Sequence, residues 1–148
     1  MKQPKLSPVP GKDQYILLKD DLFNYGDIQM CVPKYFIYNG ASIPKIAQLF
    51  LYTRFHPDVM GPALYHDWLY LNHQVSRGMA DQIFYDMLIL NGANKTKARI
   101  MHQTLILFGG PAWYNSEEDK RKLMLLYSLI KTRDNFNKYH FPEDVIFS

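Results

Sequence analysis

From His56 to Arg133 the sequence falls into apolar-periodic stretches cut by short turn signals, and this spacing commits the chain to a helical core in which the first two stretches, joined by so short a turn, pack antiparallel. The first stretch begins near His56-Pro57-Asp58 or Gly61-Pro62 and runs to about His73, where Ser76-Arg77-Gly78 turns the chain. The second covers about Met79 to Leu90 and stops at Asn91-Gly92; the third starts at Asn94 and stops at Gly109-Gly110-Pro111. The last starts at Ser116, where Glu117, Glu118 and Asp119 suit the positive end of a helix dipole, and closes with Lys131 and Arg133 at the negative end. A further helix is predicted upstream, because Ser42 can cap and Pro44 suits a first helical turn; it would run to about Tyr52.

The beginning of the chain has a different grammar. Tyr15-Ile16-Leu17-Leu18 and Ile28-Gln29-Met30-Cys31-Val32 are short apolar runs separated by Asn24-Tyr25-Gly26-Asp27, which predicts strands joined by a tight turn. Residues 1–12 carry three prolines and read as an extended arm, with no apolar block of signal-peptide length. The expected class is therefore α+β: a small N-terminal antiparallel sheet within 13–37, then about four to five helices within 43–133, in a single domain over 13–148. With 148 residues of which 47% are hydrophobic, one core of ordinary size is affordable. The single cysteine, Cys31, excludes an internal disulfide framework and reads as a core thiol in a strand. No apolar run approaches the roughly 20 residues of a bilayer span, so no transmembrane helix is expected. A net charge of +3 compels no nucleic-acid partner, and none is predicted.

One cluster of residues reads like a chemical site. At about 100° per residue, Met60, Leu64, Trp68 and Leu71 form an apolar arc of the first stretch, and Ala63, His66, Asp67 and Tyr70 lie on the arc beside it. On the next stretch Ala80, Phe84, Met87 and Leu88 form the apolar face, with Asp81 about 60° from its centre. A carboxylate placed there needs a partner, because an unsatisfied buried polar group costs several kcal/mol in order of magnitude. The short turn brings Asp81 towards His66, and an imidazole oriented by a carboxylate can serve as a general base, while Asp67 beside it can bind a hard cation. Three plainer readings stay open: His66 as a structural histidine, Asp81 as a helix-capping carboxylate, and Asp67 in a salt bridge with Arg77 or Arg54. His66 and His73 are too far apart along the helix, at about 10 Å of rise, to share a zinc ion.

His66-Asp67-Trp68-Leu69-Tyr70 resembles the His-Asp-x-x-Tyr motif of secreted and parvoviral phospholipases A2, and Asp81-Gln82-Ile83-Phe84 is similar to the Asp-bearing second helix of that superfamily. The resemblance implies that His66 is the base, that Asp67 holds calcium, and that Asp81 and Tyr70 support His66 by hydrogen bonding. The calcium loop of the superfamily is glycine-rich; the nearest segment here, Tyr38-Asn39-Gly40-Ala41-Ser42, has one glycine, and it makes Gly40 the candidate for carbonyl ligation.

A second resemblance spans about Tyr15 to Trp113. Gly40-Ala41-Ser42-Ile43-Pro44, the His66 motif, Arg77 with Ala80-Asp81, and Phe108-Gly109 with Trp113 are similar to landmarks of an uncharacterised family of tailed phages and prophages, domain of unknown function 1353. In that family an Asp usually precedes the Gly-Ala-Ser-x-Pro run, and here Asn39 stands there. The resemblance implies a viral protein, virion-associated or made in the host bacterial cytoplasm. The leading expectation is a calcium-dependent, phospholipase-A2-like hydrolase acting on membrane phospholipid. The competing one is a structural virion or assembly protein, partnered by other virion proteins, in which the same residues brace two helices. Two surface features are left over: Lys95, Arg99 and His102 at helical spacing, read as a solvated face or a phosphate or headgroup contact, and the aromatics Tyr35, Phe36, Tyr38, Phe50, Tyr52 and Phe55 around Gly40.

Overall fold

The computed structural model describes residues 1–38 and 56–147. Its strands come first: β1 (Leu6–Pro8), β2 (Tyr15–Leu17), β3 (Asp21–Tyr25), β4 (Ile28–Val32) and β5 (Ile37–Tyr38). They precede α1 (Pro57–Asn72), α2 (Arg77–Leu90), α3 (Lys95–Phe108), the one-turn α4 (Gly110–Trp113), α5 (Glu117–Ile130), a 3-10 turn at Phe136–Tyr139, and α6 (Glu143–Ile146). The α+β class and the helical core are as the sequence predicts. The Gly40 loop and the helix expected to end near Tyr52 lie outside the described residues.

The strand pairing differs from the expected hairpin. Asp21-Leu22-Phe23-Asn24-Tyr25 is extended right up to the turn, with Leu22 and Asn24 exposed and Asp21, Phe23 and Tyr25 half-buried, and β3 pairs with β4 from Asp21 opposite Val32 to Tyr25 opposite Ile28. Gly26 takes the left-handed position at the tip, with φ 56°. β2, freed from that hairpin, pairs antiparallel with β1 on one side and β5 on the other, so the strands form two ladders, ordered β1-β2-β5 and β3-β4. The proline-bearing N-terminal segment is extended, and part of it is the edge strand β1. Cys31 is a free, fully buried thiol in β4, and burial pushes its pKa up to about 12.

Helix ends follow their capping residues. Ser76, Asn94 and Ser116 accept from the backbone of Met79, Lys97 and Asp119, and Ser116 with Asp119 completes a reciprocal capping box. Helix α1 is buried on most of its circumference and lies against α2 and β4, which makes it the spine of the core. Its Pro62 has no N–H for the carbonyl of Asp58, one turn earlier; that carbonyl instead accepts from Asn91 Nδ2 at 2.9 Å. The end of α2 is thereby tied to the start of α1, as an antiparallel pair requires.

The C-terminal segment is closed onto the strands by Asp20. Its Oδ1 accepts from the Lys34 amide at 2.7 Å and Arg133 at 2.9 Å, and its Oδ2 from the Tyr139 hydroxyl at 2.6 Å, with Lys138 Nζ at 3.3 Å. Burial pushes the Asp20 carboxyl up, but the hydrogen bonds from Lys34, Tyr139 and Lys138 and the Arg133 charge outweigh it and hold the group below its ordinary range. A depressed carboxyl contributes stability that is present above its unfolded pKa, about 3.9, and is lost as pH falls through the folded value. Asp20→Asn is therefore expected to lower unfolding free energy at neutral pH by about 1–3 kcal/mol, with the difference from wild type narrowing at pH 3. Urea titrations at both pH values check this; an undiminished difference in acid would contradict it.

Candidate active site

The site is built where α1 and α2 face each other. His66 and Tyr70 are four residues apart on α1, so both point to the same side, and their rings lie 4.2 Å apart between centroids. Phe84 of α2 stands 5.0 Å from the His66 ring. Asp81, also on α2, is the third member: its Oδ1 meets His66 Nε2 at 2.8 Å and accepts from the Tyr70 hydroxyl at 2.6 Å. The contact anticipated from the inward position of Asp81 is thus present. The capping alternative for Asp81 is not, because Ser76 caps α2 and the Asp81 carboxylate is directed at α1.

Asp81 is only 2% exposed, and burial alone would push its carboxyl up. The donors His66 and Tyr70, with the His66 and Arg77 charges nearby, reverse this and leave its pKa lowered. Asp81 therefore stays ionised and accepts only, so the neutral imidazole must carry its proton on Nε2. That leaves Nδ1 with a lone pair, and among the described residues no hydrogen bond reaches it. His66 is 8% exposed, so the ring is nearly enclosed without being sealed.

Asp67 sits in a contrasting environment. It is half-buried, and among the described residues it accepts no hydrogen bond. Burial pushes its carboxyl up to about 6; the His66 and Lys122 charges act against this and Asp119 with it. The candidate salt bridge to Arg77 is replaced by other contacts, since Arg77 donates to α3 carbonyls, and the alternative partner Arg54 lies outside the described residues. Gly40 lies outside them too. Among the described residues no group of three or more His, Cys, Asp or Glu side chains is placed to hold a metal ion.

Several supporting residues were not singled out for this role by the sequence. Arg77 donates to the carbonyls of Leu105 and Ile106, at 3.2 and 2.8 Å, and so fixes the end of α3 against the start of α2. Trp113 of α4 meets the Tyr70 ring edge-on at 5.3 Å and stacks on His73 at 3.7 Å, while His73 Nε2 contacts the Trp113 carbonyl at 2.9 Å. Lys122, half-buried on α5, places its charge near Asp67 and its Nζ 5.1 Å over the Phe36 ring. Gly109 reads in sequence as a helix stop, but it also has a packing reason: a Cβ there would lie 2.6 Å from the Leu105 carbonyl oxygen and 2.7 Å from the Tyr70 hydroxyl. Gly109→Ala is expected to destabilise by about 1–3 kcal/mol through that clash, and Tyr70→Phe by a similar amount through the donor lost to Asp81. The double variant should cost less than the sum, because one clashing atom is gone; strictly additive costs in urea unfolding would contradict the close approach.

Comparison with known proteins adds a family and one relative. The model of the family described as a protein of unknown function, DUF1353, matches residues 17–105. The uncharacterized protein y4iH of Sinorhizobium fredii (strain NBRC 101917 / NGR234) is 31% identical over 111 residues, which cover 73% of this chain and 46% of the relative. The chain thus corresponds to about half the length of that relative. No solved structure matches. The matched region contains His66, Asp67, Tyr70 and Asp81, and stops short of Gly109 and Trp113.

Proposed function

This chain belongs to the DUF1353 family, and from the site it carries we propose that it is a hydrolase of ester bonds in phospholipid, with His66 as the general base. The observation that carries the reading is the direction of the His66 ring: Nε2 is held at 2.8 Å by a buried carboxylate that Tyr70 also anchors, which leaves Nδ1 as the basic nitrogen. In the proposed reaction Nδ1 takes a proton from water as the water oxygen attacks the ester carbonyl carbon, and returns it to the departing alcohol oxygen. Asp81 and Tyr70 are positioning residues; they fix the tautomer and favour the imidazolium that forms during the step. Asp67 is half-buried, with burial pushing its carboxyl up to about 6 against the nearby Lys122 charge, and a carboxylate beside the base is the ligand type a hard cation takes. We assign to it, with carbonyls near Gly40, the holding of a calcium ion, which when bound would polarise the ester carbonyl. The setting proposed is a tailed phage or prophage, with the protein virion-associated or made in the host bacterial cytoplasm.

One observation favours a second reading. Asp81 at 2% exposure joins two helices, as a buried brace in a structural virion or assembly protein would, with other virion proteins as partners. His66→Asn and Asp67→Asn separate the two. The hydrolase reading expects both variants to stay folded, His66→Asn at a cost of about 1–3 kcal/mol for the weakened contact with Asp81, and to lose hydrolysis of phospholipid micelles in added Ca²⁺ by a factor on the order of 100 or more. A wild type inactive on micelles, with His66→Asn less stable by about 1–3 kcal/mol, would leave the brace.

A further inference from the structure

The corner where α3 passes into α4 carries the most exposed run of large apolar residues among the described ones. Leu107 is 69% exposed, Phe108 74% and Tyr114 78%, and Ile100 and Ile106 are exposed on the same helix. Single exposed hydrophobes are ordinary, but a contiguous group of this kind marks a surface that meets something. At 100° per residue, Lys95, Arg99, Ile100, Gln103, Ile106 and Leu107 fall within an arc of about 140° on α3, so cations and apolar residues share one face. His102, read from sequence as part of the cationic row, is instead half-buried and stacked with Tyr85 at 5.3 Å.

The charge of this region is one-sided. Between Asp86 and Glu117 the chain has no acidic residue, while Lys95, Lys97 and Arg99 all fall there. A helix with cations and apolar side chains on its solvent face, ending in an aromatic corner, matches a surface that is anionic outside and apolar just beneath. We propose that the exposed face of α3, with Phe108 and Tyr114 at its end, docks the protein on anionic phospholipid. Leu107, Phe108 and Tyr114 enter the headgroup boundary, and Lys95 and Arg99 lie against the phosphates. No helix among the described residues is long and apolar enough to cross a membrane, so the contact is with the surface.

The docking face is mechanically joined to the candidate site. Gly109 follows Phe108 directly and packs under the Tyr70 hydroxyl, and Trp113, beside Tyr114, braces the Tyr70 ring. Docking would therefore set a lipid surface next to the elements that hold His66. This functional connection rests on the hydrolase reading, whereas the docking itself rests on the exposed face.

The test is flotation of the full chain with vesicles of phosphatidylcholine alone and of phosphatidylcholine mixed with phosphatidylglycerol. The proposal expects binding to the mixed vesicles, weaker binding to phosphatidylcholine, and release as salt is raised. Leu107→Ser with Phe108→Ser should weaken binding about tenfold or more with an unchanged melting curve, since both side chains are exposed. Arg99→Glu should weaken binding to the mixed vesicles and leave the phosphatidylcholine result unchanged. No binding by wild type, or equal binding by the double serine variant, would overturn the proposal. So would a wild-type dimer that the serine variant converts to monomer, which would give this face to a second copy. Patch-dependent binding without ester hydrolysis would sink the hydrolase reading and leave docking standing; hydrolysis without such binding would do the reverse.

Discussion

The ionised carboxylate of Asp81, enclosed between two helices, is the constraint on which the centre of this molecule depends. Left without donors it would cost several kcal/mol in order of magnitude, so α1 and α2 can pack only in a register that brings both His66 Nε2 and the Tyr70 hydroxyl to it. Other features follow from that register. The Tyr70 hydroxyl leaves no room for a side chain on the residue that ends α3, which is Gly109. Arg77, at the start of α2, then reaches the last carbonyls of α3 and fixes that end. At the opposite end of the pair, Asn91 fills the backbone acceptor left over by Pro62.

The two central carboxylates are driven apart by their surroundings. Asp81 is more deeply buried yet lowered, because two donors and nearby positive charge outweigh desolvation; Asp67 is raised to about 6, because burial meets no hydrogen bond among the described residues. Asp81 thus supplies a fixed negative charge that orients the His66 ring, and Asp67, with Lys122 and Asp119 of α5 as its charged neighbours besides His66, is a separate carboxylate whose ionisation depends on the charge beside it.

Much of the helical half was legible because its boundaries are written in capping residues. Ser76, Asn94 and Ser116 act locally, and the structure places helix starts beside each. Asp81 was legible for a different reason: a charged residue near the centre of an apolar arc must have a partner, and a short turn restricts where that partner lies. The strand pairing was not legible from the apolar runs, because Asp21 and Asn24 interrupt β3 so that it forms no such run, and its pairing with β4 is decided by the turn at Gly26. Nor could local pattern foresee Gly109 or Arg77 in the site. Gly109 serves as a helix stop in any helical protein, and only the distance to the Tyr70 hydroxyl reveals its second role. Arg77 reads in sequence as a turn residue and a candidate partner for Asp67, and its reach to α3 carbonyls is a long-range fact.

The claim that Asp81 fixes the His66 ring with Nδ1 as its basic nitrogen is most directly tested by the tautomer. Long-range ¹H–¹⁵N correlation spectra of the imidazoles, at a pH where the His66 ring is neutral, should show the proton on Nε2 and a bare, pyridine-like Nδ1. In Asp81→Asn the same spectra should show a ring that no longer keeps that single tautomer. A wild-type His66 with its proton on Nδ1, or a tautomer unchanged by Asp81→Asn, would contradict the claim.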